Sequence, residues 1–190
     1  MFHALAIIAL VAATTTPSKS GHREAPTHEA GAESHPWAKY KVGTWVKWRS
    51  VTAMTTGGKT TEYVSGAQQT LISLDATKAV VEFVQTMPGG AEQKTQIDMP
   101  LRPDPAAEKA AAELPKPAKT GTETLTIGGK AFACRWSETV TVSDDRSRTT
   151  MRTWESDEMP GQFVKSVSTS EIGAGLTSVM TTEVSAFELK

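Results

Sequence analysis

The side chains able to do acid–base or metal chemistry are few in this chain and poorly grouped for it. The densest carboxylate cluster, Glu155, Asp157 and Glu158, flanks the turn signal Pro160-Gly161, where charge ordinarily serves solvation rather than proton transfer. Carboxylate catalysis would need two of Glu123, Glu138, Glu155 and Asp157 to face each other in a cleft. All four histidines, His3, His22, His28 and His35, precede residue 36. A Ser-His-Asp triad, a Cys-His pair or a histidine-rich catalytic metal site within the remainder is therefore excluded. His22, His28 and His35 interleave with Glu24, Glu29 and Glu33, but their spacings of six and seven residues match no compact ligand motif. A flexible segment would also lose chain entropy on wrapping an ion. The single cysteine, Cys134, lies in a run where strand alternation puts Phe132, Cys134 and Trp136 on one face. That placement suits a small buried hydrophobe and not a nucleophile. The paired glycines are isolated and precede strand patterns, so they are turns and not phosphate loops. No catalytic residue, metal ligand or cofactor is assigned, and the chain reads as non-enzymatic.

Lys and Arg number 20 and Asp and Glu 21 in 190 residues, so no net field recruits nucleic acid or an anionic membrane surface. Asparagine is absent, which removes N-glycosylation acceptors. The apolar run from Ala4 to Ala13 has the length of a signal-peptide core and is too short for an ordinary transmembrane helix. Small residues at Val11 and Ala13, or at Ser18 and Ser20, offer two cleavage positions. The expectation is a signal peptide over residues 1–20, a flexible polar tether over 21–36 and a single β-rich domain over 37–190. Such a protein is periplasmic or secreted, with no transmembrane anchor once the signal is removed.

The elements that must position any site are marked by a regular beat of turn signals: Gly57-Gly58, Asp75 to Lys78, Pro88-Gly89, Gly128-Gly129, Asp144-Asp145, Pro160-Gly161 and Gly173 to Gly175. Between them lie threonine-rich runs of strand character. About nine long strands follow, in a mainly β fold: a curved antiparallel meander sheet or half-barrel. Prolines bracket an alanine-rich stretch in which Asp104 is a suitable N-cap and Pro105 a suitable first residue, so a short helical insert is expected over about 104–114. The large residues Trp48, Tyr63, Phe83, Phe132, Trp136, Trp154, Phe163 and Phe187 are the candidates for one inner surface, with Trp45 beside them.

Three groups of residues resemble a planctomycete-type family of small secreted β-rich bacterial proteins: Gly43-Thr44-Trp45-Val46, Cys134-Arg135-Trp136, and Trp154-Glu155-Ser156 leading to Met159-Pro160-Gly161 and Val164-Lys165. The meander with its inserted helix is also similar in outline to the periplasmic lipoprotein-carrier half-barrel. That resemblance implies a concave apolar sheet holding an acyl chain, and no functional residue of that family is matched here. The expected function is an exported binding protein holding a lipid or other apolar ligand, with Trp48, Tyr63, Phe83, Phe132, Trp136 and Trp154 as ligand-binding residues. The alternative is a structural or protein-interaction module with a packed interior and no small-molecule ligand.

Overall fold

A computed structural model describes residues 35–87, 89–102, 116–143, 147–173 and 175–190. Nine strands make up the described fold: β1 (Trp45–Thr56), β2 (Lys59–Leu74), β3 (Lys78–Thr86), β4 (Glu92–Pro100), β5 (Lys119–Ile127), β6 (Lys130–Val142), β7 (Arg148–Glu155), β8 (Phe163–Ile172) and β9 (Leu176–Glu188). The tightest turns show why the strands break where they do. Gly57 and Gly58 have φ of 57° and 79°, Gly128 and Gly129 of 57° and 82°. Two consecutive left-handed residues form the type I′ hairpin whose twist matches that of the flanking strands. Thr56 accordingly pairs with Lys59, and Ile127 with Lys130.

All neighbours are antiparallel, in the order β4-β3-β2-β1-β9-β8-β7-β6-β5. Every link between consecutive strands is a local hairpin except that from β4 to β5, which joins the two edges. The first and last strands meet in the middle. An odd number of strands alternating in direction leaves the two edges, β4 and β5, running the same way. An all-antiparallel ring cannot close on itself with that count, and the sheet is open and uncurled where curvature into a half-barrel was expected. The helical insert expected at 104–114 lies outside the described residues.

The core sits at one end of the sheet. There β1, β3, β6 and β8 begin and β2, β4, β7 and β9 end, bringing together Val46, Trp48, Leu71, Ala79, Val81, Met99, Phe132, Cys134, Trp154, Val164 and Val184. Trp37 and Met159, from segments outside the strands, complete the cluster. Each of the largest of these side chains contributes about 1.5–3 kcal/mol by leaving water. Trp37 packs edge-on against Tyr40 at 6.3 Å between ring centroids. The two ends of the described chain are tied at the same place: Lys41 N–H donates to the Lys190 carbonyl at 3.2 Å and Lys190 N–H to Thr44 Oγ1 at 3.1 Å. The opposite end of the sheet carries hydroxyl-bearing strands and exposed large residues such as Met54, Tyr63 and Met151.

Candidate functional site

Cross-strand register sorts the side chains of the sheet onto two faces, because directly paired residues point the same way and alternate residues along a strand share a face. On the first face, a row of hydroxyls runs across seven strands: Thr120, Ser137, Thr153, Ser166, Thr182, Ser50 and Ser65. Two residues further from the core, the row reads Thr139, Met151, Ser168, Met180, Thr52 and Tyr63. The third reads Thr141, Thr149, Ser170, Ser178, Met54 and Thr61. No position in these rows is charged. Toward the β4 edge the same face continues with Phe83 opposite Thr95 and Gln85 opposite Gln93, again without charge. Some hydroxyls pair across strands, Ser50 with Thr182 at 2.8 Å and Thr149 with Ser170 at 3.0 Å.

Most strand charges lie on the second face, with Lys59, Arg135 and Glu155 on the first, outside the three rows. Trp136 pairs with Trp154, Trp154 with Lys165, Lys165 with Glu183 and Glu183 with Arg49. The neighbouring row begins Lys119, Glu138, Arg152. Here the aromatic rings interlock with charged groups. The Arg152 guanidinium lies 4.4 Å from the Trp136 ring centroid and 5.8 Å from that of Trp154, with Lys165 Nζ also 5.8 Å from Trp154. Glu138, buried, accepts two hydrogen bonds from Arg152 at 3.1 and 2.6 Å and lies 3.4 Å from Lys119 Nζ. The Arg152 hydrogen bonds, aided by Lys119 and opposed by desolvation, hold the Glu138 carboxyl below the usual range. The other side of Trp136 is filled by β5: a Cβ on Gly121 would stand 2.7 Å from three atoms of the indole. Glycine is present because the ring occupies that space.

The structure therefore divides the six expected ligand-binding residues. Trp48, Tyr63 and Phe83 share the first face, whereas Phe132, Trp136 and Trp154 belong to the second by register and alternation. Trp48 is buried and packs edge-on against Phe163 at 6.1 Å. Phe132 is buried against Phe187 at 5.4 Å. Tyr63 is 48% exposed, and Phe83 and Trp136 are half-buried. Trp48, Phe132 and Trp154 nevertheless meet in the buried cluster at the core end, with Trp136 packed against it, whereas Tyr63 and Phe83 do not belong to that cluster.

Concavity occurs elsewhere. The turn end of the β5–β6 hairpin runs past the end of β7, and its residues Leu125, Ile127 and Gly128 face Val164, Val184, Lys165 and Glu183 across a cleft of about 240 Å³. Beta bulges opposite Trp154/Glu155 and Lys47/Trp48 turn β8 and β9 locally at this point. Sequence reasoning missed the cleft, and the bulges that shape it carry no turn or glycine signal.

The four carboxylates named above have separate surroundings. Glu123 accepts a hydrogen bond from Trp154 Nε1 at 2.8 Å, and Glu138 is held by Arg152. Asp157 receives both Arg135 nitrogens, at 3.0 and 2.9 Å. Glu155 is half-buried, and its carboxyl is pushed up by desolvation, against the pull of Arg135 and with a further push from Asp157. Among the described residues no three of His, Cys, Asp and Glu are grouped so as to hold a metal ion. His35, the first described residue, accepts at Nδ1 from Trp37 N–H at 3.4 Å. Cys134 is buried, and burial pushes its thiol up. No helix among the described residues is long and apolar enough to cross a membrane. Compared with models of protein families and with curated proteins, the sequence matches none.

Proposed function

We propose that the chain is an exported, non-enzymatic structural or protein-interaction module of the periplasm or cell exterior, working through the surfaces and edges of its sheet. The observation that carries this reading is the disposition of the aromatic residues. Trp48, Phe132, Trp136 and Trp154 are packed against Phe163, Phe187, Gly121 and Arg152, which take up the space a ligand would need, and Tyr63 and Phe83 lie outside the buried cluster. The two edges, β4 and β5, are solvent-exposed along most of their length. An unpaired edge strand offers a row of backbone donors and acceptors to an extended segment of a partner. A photo-crosslinking residue placed at Gln96 in β4 or Thr122 in β5, in protein recovered from its own compartment, tests it. One discrete adduct whose yield falls with a nearby edge proline supports the module. Absence of adducts at both edges and on both faces removes it.

A second reading is favoured by the cleft beside the β5–β6 turn. Leu125, Ile127, Val164 and Val184 supply apolar walls, and Lys165 supplies a cation, the ingredients of a small site for an acyl tail with an acidic head. Native mass spectrometry of the gently purified mature protein separates the two. A stoichiometric lipid adduct lost in Ile127→Ser favours the carrier, and a clean apo mass favours the module.

A further inference from the structure

We propose that the first face of the sheet, from the Ser50–Thr182 row outward, is a binding surface for a neutral polysaccharide lying across the strands. Charge segregation between the faces supports such a surface independently of the edges and the cleft. The chain is 22% charged, and register assigns uncharged residues to every first-face position of the three rows, whereas Lys119, Glu138, Arg152, Lys165, Glu183 and Arg49 all stand on the other face. Solvation alone asks for no such sorting, since both faces of this end meet water.

The chemistry of the face selects among partners. A nucleic acid, an acidic glycan or an anionic membrane finds no cation within the three rows, and outward of them only Lys59 at the β1–β2 turn, too little to replace the counterions it would release. An apolar ligand would cover hydroxyls and leave them without hydrogen bonds, at a cost of about 1–3 kcal/mol for each group orphaned. A neutral polyol meets neither obstacle. Each Ser or Thr hydroxyl is both donor and acceptor, so it can answer a sugar hydroxyl in either sense. Met54, Met151 and Tyr63 stand 37%, 37% and 48% exposed in the same field and give apolar contact to the C–H faces of sugar rings. Adjacent strands repeat at about 4.8 Å, so an extended polymer crossing them meets an equivalent hydroxyl at every step.

The test is depletion of the full mature chain from solution by insoluble neutral polysaccharides (cellulose, chitin and a β-1,3-glucan), with pectate as the anionic control. Retention on at least one neutral polymer and none on pectate is expected. Ser168→Lys and, separately, Thr52→Glu should weaken retention about tenfold or more, since each buries an unpaired charge under the ligand. Thr169→Lys, one residue along β8 and on the opposite face, should not. Thermal unfolding confirms that each variant is folded, and two substitutions of opposite sign guard against one that is not. No retention on any neutral polymer, equal loss in Thr169→Lys, or a stable wild-type dimer that protects this face from labelling would overturn the proposal.

Discussion

At the scale of single residues, the sharpest constraint is the contact between Gly121 and Trp136. A methyl group at Gly121 cannot coexist with the indole where it stands, so Gly121→Ala is expected to displace Trp136 from Arg152. The loss should be about 1–3 kcal/mol in urea unfolding, with a change in tryptophan fluorescence. Gly121→Ala combined with Trp136→Leu should be less damaging than the sum of the two. Tyr40 offers a test with the opposite sign. Its hydroxyl is buried without a hydrogen-bond partner among the described residues, and burial, then Glu158 and Asp157, push its phenol up to about 12. Removing an orphaned hydroxyl costs nothing, so Tyr40→Phe should leave stability unchanged or raise it by up to about 1 kcal/mol. Between about pH 10 and 12 the unfolded phenol loses its proton and the folded one keeps it, so wild-type stability falls there and the Tyr40→Phe curve is flatter.

Asp75 governs the acid side. Hydrogen bonds from the Thr77 hydroxyl, the Thr77 N–H and the Lys78 N–H hold its carboxyl down at about 2. That stabilisation is complete above the unfolded value of about 4 and is lost as pH falls from there toward the folded value. Asp75→Ala should lower the urea midpoint at neutral pH and flatten its fall in acid. Such a turn was legible, since Asp followed by Thr and Lys between two apolar runs is a turn signal with a mechanism. The Trp136–Gly121 contact was not, because it joins positions fifteen apart through a register that only the folded hairpin fixes.

At the scale of elements, turn chemistry explains why the strands were readable. Gly57-Gly58 and Gly128-Gly129 occupy left-handed backbone that a side chain enters at a cost of about 1 kcal/mol or more. Replacing Gly128-Gly129 by Ala-Ala should therefore destabilise the protein by about 2 kcal/mol, with hydrogen exchange accelerated first in the β5–β6 hairpin. The strand count and most boundaries follow from such signals. Which face a residue joins does not, because a bulge of one residue reverses the alternation, as at Leu71/Ser73, Lys47/Trp48 and Trp154/Glu155. Period-2 reading from Phe132 to Trp136 succeeds since no bulge intervenes. Extending one face along the strands from Trp48 to Trp154 fails, since three successive strand pairings place them on opposite sides of the sheet, although both reach the cluster at its core end.

At the scale of the whole molecule, the order of strands makes a prediction about connectivity. β1 and β9 are neighbours, and Lys190 lies against Thr44 and Lys41. Joining residue 190 to residue 35 through a linker, which keeps Trp37 in the core, and opening the chain between 102 and 116 would turn the sheet into an unbroken meander from β5 to β4. All its strand pairs would then be local, and this permutant should form the same sheet and refold faster in stopped-flow experiments, because lower contact order shortens the search.

In the natural order, the central seam of the sheet cannot be sewn until the ribosome has made the final strand. The hairpins on either side, β1 to β4 and β5 to β9, can form earlier, but each leaves its half of the core open and marginal. The protein thus carries a built-in delay: it commits to its folded state only after its last thirteen-residue strand has been synthesised. The permutant, whose strands pair in the order in which they are made, lacks that delay and should acquire protease-resistant structure earlier during cell-free synthesis.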